Sequence, residues 1–233
     1  MILGIDTSSA LTSVAVVEGE VTVASAEHDD PRQHGEVLAG MVKEVMTRAR
    51  HPRISEIACG VGPGPYTGLR VGIATSTALG LAWQIPVYGV CSLDALASRL
   101  APQLCEPFVV ASDARRREVY WARFDRLGLR LEGPYVGAPG ELPQEIRRGP
   151  WMGEGGSVAS EFVAWTGDAS RAHAIDVARL VRRLLLDNEV QGPVVRALSA
   201  HGTDDGSTAD QLAGSRLLPP TPLYVRRPDA MVS

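Results

Sequence analysis

The amino-acid sequence predicts an α/β fold of two lobes, and two observations support this prediction. The chain has 233 residues, 45% of them hydrophobic, which is ordinary globular composition at a length above the usual single-domain size of about 100–150 residues. Its first part places short strands and amphipathic helices in the order strand, strand, strand, helix, strand, helix, strand, helix. This is the order of a ribonuclease-H-like lobe, a mixed sheet flanked by helices.

Each element of the first lobe follows from a local pattern. β-prone runs between turn residues predict strands, and apolar residues recurring every three or four positions predict helices. Thr67 and Ser92 are residue types that cap helices, so we expect them to begin the second and third helices. The predicted strands are 2–5, 12–18, 21–27, 57–61 and 86–90, and the predicted helices are 35–50, 67–83 and 92–100.

After Pro107 the same pattern starts again in weaker form. The predicted strands are 109–111, 119–124, 129–136 and 151–153, and the predicted helices are 140–147, 157–165 and 174–188. Polar residues predict a loop over 200–208, and the prolines near the end predict an extended tail. We therefore expect a first lobe over 1–104, a second lobe over 105–212 and a tail over 213–233 that packs back on the body.

Composition argues against several classes of protein. The formal net charge of −4 gives no broad positive field for nucleic acid, and short arginine clusters are common on ordinary surfaces. No apolar run reaches the roughly 20 residues of a transmembrane helix, and we identify no signal peptide. Three cysteines without metal-like spacing predict buried thiols in a reducing, cytoplasmic setting. These are Cys59, Cys91 and Cys105.

Two short motifs each leave two interpretations open. Asp6 and Thr7 follow the first strand, where an acidic residue could help hold a metal-bound phosphate or could close a turn. Gly62, Gly64 and Thr67 belong to a run before the second helix, where free backbone N–H groups favour an anion. A sharp strand-to-helix turn explains that run equally well. These five residues therefore form either a vestigial nucleotide or anion site or a structural turn.

The first two helices carry an unusual set of small and apolar residues. Glycine inside a helix costs about 0.5–1 kcal/mol relative to alanine, so a close neighbour should offset that cost. The neighbour is either another backbone of the same fold or a partner surface. Apolar, methionine-bearing surface on the first helix favours the partner. The residues concerned are Val37, Met41, Val45, Gly68, Gly72 and Ser76.

The histidines and serines show no pattern of a catalytic or metal site. No two of the five histidines lie three to five residues apart, which excludes a helical zinc pair. No Gly-x-Ser-x-Gly nucleophile elbow is present either. We therefore predict no catalytic residue and no metal ligand.

Four motifs resemble the TsaB (YeaZ) family. They begin at Ile2, Gly62, Asp113 and Pro222, and their sequences are ILGIDTS, GPGPYTGLRVG, DAR followed by EVY, and PLYVRRPDA. They occur in the order of the family and cover essentially the whole chain. Pro65 departs from the family pattern, which more often has serine there, and so removes a hydroxyl that could contact a phosphate.

The resemblance implies a two-lobed actin-like (ASKHA) fold and a part in making N6-threonylcarbamoyladenosine (t6A) at position 37 of tRNAs that read ANN codons. The catalytic partner in this family is the larger paralogue TsaD, which transfers the threonylcarbamoyl group to the tRNA base. Its His-Met-Glu-x-His metal motif corresponds here to Ser92 through Leu96. The resemblance therefore implies a non-catalytic subunit that binds and activates TsaD.

The resemblance also implies partners. The first two helices would pair with TsaD, or with a second copy of the chain when it is free, through the six helix residues named above. TsaE would join a ternary complex, tRNA would be bound only through the complex, and no membrane partner is implied. No cofactor is expected beyond weak binding of ATP or ADP, mainly in the complex.

Two other functions stay open at this point. A small-molecule kinase or ATPase of the actin-like superfamily would use Asp6 and the glycine-proline run for phosphates. Against it, Ala114 and Arg115 stand where a second phosphate motif needs flexible glycine. A metallopeptidase is the third function, and the absence of metal ligands from the sequence weighs against it.

Overall fold

The computed structural model describes residues 1–155, 171–187 and 217–225. These residues form two sheets with five α-helices around and between them. The strands are β1 (Ile2–Asp6), β2 (Leu11–Glu18), β3 (Val21–Asp29), β4 (Glu56–Gly60), β5 (Val87–Val90), β6 (Phe108–Asp113), β7 (Val119–Phe124), β8 (Arg130–Gly137) and β9 (Trp151–Met152). The helices are α1 (His34–Arg48), α2 (Tyr66–Trp83), α3 (Ser92–Leu100), α4 (Gln144–Arg148) and α5 (Ala174–Leu186).

The first sheet has the strand order β3-β2-β1-β4-β5. Strand β1 is antiparallel to β2 and parallel to β4, as a ribonuclease-H-like lobe requires. Side chains alternate along β1, so Leu3 and Ile5 pack under α1 and α2, whereas Ile2 packs under α5. Helices therefore cover both faces of this sheet.

The second sheet has the order β8-β7-β6-β9, which repeats the first four positions of the first sheet. Helix α3 joins the two lobes because its Leu93, Leu96 and Leu100 pack against Phe108 and Phe124 of the second sheet. On the other face, Ile146 of α4 packs with Trp151. This architecture confirms the predicted α/β fold of two ribonuclease-H-like lobes.

Several element boundaries differ from the predictions. Helix α2 begins at Tyr66 with Pro65 as its N-cap, so Thr67 is not the cap. Ser92 is the first residue of α3 and its hydroxyl makes no capping hydrogen bond. Helix α4 is shorter than predicted, because Pro139–Glu141 forms a separate 3-10 turn. The predicted helix over 157–165 and the loop over 200–208 lie outside the described residues.

Helix α5 and the segment 217–225 follow the second sheet in the sequence but pack against the first lobe. The boundaries predicted from the sequence put α5 in the second lobe, yet its buried face packs on the first sheet. The segment 217–225 lies along β5, where Leu218 and Gly89 exchange two backbone hydrogen bonds of 2.7 and 2.8 Å. Leu223 N donates to Val61 O at 2.8 Å and so holds the segment beside the glycine-proline run.

Two further findings concern the predictions about membrane helices and cysteines. Within residues 1–155, 171–187 and 217–225, none of the helices has the length and apolar character needed to cross a membrane. All three cysteines are free thiols. Cys59 and Cys91 are buried as predicted, but Cys105 is exposed, because it lies in the link between the lobes.

Candidate functional site

Asp6 lies at the carboxyl end of β1, where the two lobes meet, and is 1% exposed. Its Oδ1 accepts hydrogen bonds from Ser8 N at 2.9 Å and Ser8 Oγ at 2.7 Å. Its Oδ2 accepts one from Ser92 Oγ at 2.7 Å. Burial raises the pKa of Asp6 above its ordinary value, and these hydrogen bonds offset part of that rise. The carboxylate is thus enclosed by its own chain.

The glycine-rich elements pack directly on the residues that follow Asp6. Thr7 Oγ1 donates to Gly68 O of α2 at 2.7 Å. A Cβ atom at Gly72 would overlap Thr7 Oγ1, and one at Gly64 would overlap the backbone carbonyl of Ser8. Close approach of the chain to itself therefore explains the glycines of the second helix, which was the intramolecular alternative.

The cavity between the lobes is small. It has a volume of about 10 Å³ and is lined by Ser8, Ser92, Ser112, Glu154 and Arg171 among others; a space of that size holds about one water molecule. Arg171 closes its rim, because its guanidinium pairs with Glu154 and also with Asp29 at 2.8 Å. Burial raises the pKa of Glu154, and the hydrogen bond from Arg171 offsets part of that rise.

The structure brings together only part of the predicted anion site. Thr7 packs against Gly68 and Gly72, Gly64 packs against the backbone of Ser8, and Gly62 has the positive φ of 104° that the sharp turn requires. Thr67 is exposed on the first turn of α2. In this conformation the backbone of Ser8 fills the space that Gly64 leaves, so the geometry favours the structural turn over a preformed phosphate cradle.

The structure also corrects the exposure expected for the predicted interface residues. Five of them are buried inside the chain, and only Val37 is partly exposed. Met41 and Val45 pack into the core under α1, and Gly68 and Gly72 face Thr7. The buried five are Met41, Val45, Gly68, Gly72 and Ser76.

A different side of the same two helices faces solvent. We call it the outer helical face, and its exposed residues are Ala39, Gly40, Ala74, Ala78 and Leu81. At one end it continues into an apolar groove of about 510 Å³ between α1, the segment 51–54 and Trp83. Small residues serve close packing in a core as well as they serve an interface, so the sequence could not distinguish the buried side of these helices from the exposed side.

Ser92 and Leu96 occupy the two histidine positions of the metal motif. Ser92 donates to Asp6, and Leu96 is 2% exposed in the core between the lobes. Across the described ranges, no cluster of three or more histidine, cysteine, aspartate or glutamate side chains has the arrangement of a metal site. The pKa of His34 is lowered by burial, and its Nδ1 lies 2.6 Å from Thr12 Oγ1.

Sequence analysis did not predict one exposed cluster, which consists of two tyrosines and an arginine. Tyr224 of the tail stacks on Tyr66 with ring centroids 5.2 Å apart. Arg70 donates to Tyr66 Oη at 2.6 Å and lies over the same ring. The two tyrosines are far apart in the chain, so no local pattern could have paired them.

Comparison with known proteins agrees with this architecture. A family model described as "TsaD: tRNA N6-adenosine threonylcarbamoyltransferase" matches residues 25–145. The TsaB protein of Escherichia coli, a tRNA threonylcarbamoyladenosine biosynthesis protein, is 35% identical over 128 residues, covering 54% of this chain and 55% of that protein. An uncharacterized protein of Mycobacterium tuberculosis is 40% identical over 148 residues, covering 60% of this chain and 66% of its own length. The chain thus spans about half to two thirds of these relatives.

Solved structures extend the similarity to nearly the whole chain. A Pseudomonas aeruginosa protein described as similar to peptidase YeaZ superposes with a TM-score of 0.74 at 25% identity, covering 97% of this chain and 99% of that one. YeaZ from the same organism gives a TM-score of 0.69 at 26% identity, covering 81% and 93%.

The two repeated lobes and the junction at Asp6 define an actin-like α/β protein. Because the family model matches more than half of its length, the chain belongs to the TsaD-like proteins, and its relatives place it in the TsaB (YeaZ) family.

Proposed function

We propose that this chain is a non-catalytic subunit that binds TsaD and activates it for transfer of threonylcarbamoyl to N6 of adenosine 37 in ANN-decoding tRNAs. The observation that carries the proposal concerns the two residues at the histidine positions of the TsaD metal motif. Ser92 donates a hydrogen bond to Asp6, and Leu96 packs in the core between the lobes. Both residues have structural contacts, so we assign the chain's part in the reaction to a surface that binds the catalytic partner.

The outer helical face is the surface we assign to TsaD. Its alanines and Gly40 let a partner helix approach closely and bury apolar area. Exposed Glu36, Lys43 and Arg70 lie one turn away at its border. The groove beside Trp83 offers room for a side chain of the partner. A second copy of the chain would use the same face when TsaD is absent. TsaE and tRNA would then join the assembled complex in the cytoplasm.

The proposal is tested by size-exclusion chromatography with light scattering on the chain, on TsaD of the same organism, and on their mixture. We expect a one-to-one complex. Ala78→Arg should abolish it without unfolding the chain, because Ala78 is exposed and a charged side chain there would be buried against the partner. Leu127→Arg is the matched control, since Leu127 is 64% exposed in a turn of the second lobe.

Two results would count against the proposal. An Ala78→Arg variant that still forms the complex would remove the outer helical face from the interface. Failure of the unmodified chain to bind TsaD, together with ATP turnover that is lost in Asp6→Asn, would favour the kinase or ATPase function instead. We expect nucleotide binding to be weak and to need opening of the cavity closed by Arg171.

A further inference from the structure

Helices α3 and α5 border a groove of about 400 Å³ on the side of the first lobe away from α1 and α2. Four arginines line it together with three carboxylates, so positive charge is in excess. The arginines are Arg99, Arg179, Arg182 and Arg183, and the carboxylates are Glu20, Asp176 and Asp187. We call this the arginine groove. It shares no lining residue with the cavity beside Asp6 or with the outer helical face.

The carboxylates engage the arginines unequally. Asp176 is buried and pairs with Arg99 at 3.2 Å, which fixes one wall of the groove. Glu20 lies on the turn between β2 and β3 and pairs with Arg182 at 3.0 Å and Arg179 at 3.9 Å. Among the residues that the structure describes, Arg183 has no ion pair. Its guanidinium is exposed in the last turn of α5.

The carboxylate of Glu20 shows where an anion can bind to two arginines, Arg179 and Arg182. Its side chain is 79% exposed, and exposed ion pairs contribute only about 0–1 kcal/mol. A phosphate can replace such a carboxylate at little cost, because guanidinium groups bind phosphate oxygens through paired, charge-assisted hydrogen bonds. Arg179 and Arg183 lie one turn apart on α5, so they can contact successive anionic groups.

We propose that the arginine groove binds the phosphodiester backbone of RNA. The identity of that RNA as the tRNA substrate rests on the proposed function. The inference modifies the expectation that tRNA is bound only through the complex, since this chain would then supply phosphate contacts of its own. Contacts of this kind position the RNA without reading its sequence, which suits a subunit that serves several tRNAs.

The test is a titration of fluorescently labelled tRNA with the full chain, followed by anisotropy at several salt concentrations. We expect Arg183→Glu to weaken binding at least about tenfold and to reduce the salt slope by about 1, the value for one lost phosphate contact. Glu20→Gln should strengthen binding severalfold, since it removes the carboxylate charge that pairs with Arg182, while the hydrogen bond from Arg179 to the backbone carbonyl of Glu20 remains. A merely structural role for Glu20 predicts no gain.

Two matched variants control for net charge. Arg148→Glu reverses an exposed arginine in the last turn of α4 in the other lobe. Glu44→Gln removes an exposed carboxylate that is paired with Arg48 on α1. Both should leave tRNA affinity within about twofold. Circular dichroism confirms that each variant folds.

Several outcomes would overturn the inference. They are no tRNA binding by the unmodified chain at low salt, equal losses in Arg183→Glu and Arg148→Glu, or arginine-dependent binding of ATP but not of tRNA. A chain that binds TsaD but not tRNA overturns this inference alone. A chain that binds tRNA through the groove but does not bind TsaD overturns the proposed function and leaves the groove assignment standing.

Discussion

At the scale of single residues, a carboxylate is buried at the junction of the lobes, and among the described residues hydrogen bonds rather than a close ion pair stabilise it. Asp6 is enclosed by hydroxyl and backbone donors of Ser8 and Ser92. Burying a charge costs free energy even when it is hydrogen-bonded, and the raised pKa of Asp6 expresses that cost. A neutral isostere should therefore be tolerated better at neutral pH than in acid.

The first prediction concerns Asp6→Asn. The asparagine Oδ1 can still accept from Ser8, and its Nδ2 can donate to Ser92 Oγ. Because the folded-state pKa of Asp6 lies above the ordinary value of 3.8, the folded chain holds the proton more tightly than the unfolded chain does. The contribution of Asp6 to the free energy of unfolding therefore falls as pH rises between those two pKa values. Urea unfolding over a range of pH should show Asp6→Asn gaining stability relative to the unmodified chain with rising pH.

The control for this prediction is Glu44→Gln, which replaces an exposed carboxylate on α1 and is measured over the same pH range. Asp6→Ala should destabilise by about 1–3 kcal/mol at every pH, because the donors of Ser8 and Ser92 lose their acceptor. Equal losses for Asp6→Asn at all pH values would show that the charge itself carries no cost.

At the scale of elements, the first two helices show how one residue type serves opposite environments. Gly72 lies where α2 meets Thr7, so it permits close packing of the helix on β1. Gly40 lies on the exposed side of α1 with no atom near the place of a Cβ. The sequence contains no signal that separates the two cases, since both glycines lie within amphipathic runs.

The second prediction uses this difference. Gly40→Ala should stabilise the chain by about 0.5–1 kcal/mol, because alanine loses less conformational freedom in a helix. Gly72→Ala should destabilise by about 1–3 kcal/mol, because Thr7 must move and its hydrogen bond to Gly68 is lost. Thermal melting of the two variants measures both effects, and shifts of the same sign would contradict the packing described for α2.

The same elements show what could be predicted from sequence. Strands of the first sheet and helices α1, α2 and α3 were predicted to within a few residues, because periodicity and turn residues are local signals. The placement of α5 on the first sheet and the stacking of Tyr224 on Tyr66 were not predicted. Both depend on contacts between distant parts of the chain. At the candidate site, the residue types around Asp6 were identified, but their burial was decided by α2 and α3 packing over them.

At the scale of the whole molecule, the two lobes are joined by helices that pack across the boundary between them. Helix α5 follows the second sheet in the sequence but completes the core of the first, where Val177, Leu180 and Leu184 are buried beneath Ile2 and Val17. Helix α3 in turn packs against the second sheet. We therefore expect that the two lobes do not fold as separate units.

The third prediction follows from this packing across the boundary. A fragment of residues 1–104 should fail to fold alone, because one face of its sheet is left bare. A peptide spanning residues 171–187 should restore structure when added to the fragment. Two-dimensional NMR spectra give the measurement, with a peptide carrying Leu180→Asp as the control. A well-dispersed spectrum of the fragment alone would show that α5 is dispensable for the first lobe.

The position of α5 in the chain also has a consequence for synthesis on the ribosome. The last strand of the first sheet ends at Val90, and α5 begins at Ala174, so roughly eighty residues separate them. At about 5–20 residues per second, the nascent first sheet waits several seconds for the helix that covers it. During that interval Ile2, Ala15 and Val17 form an uncovered apolar surface, which is the kind of surface that ribosome-associated chaperones bind. Slow translation between β5 and α5 would therefore prolong the exposure of this surface.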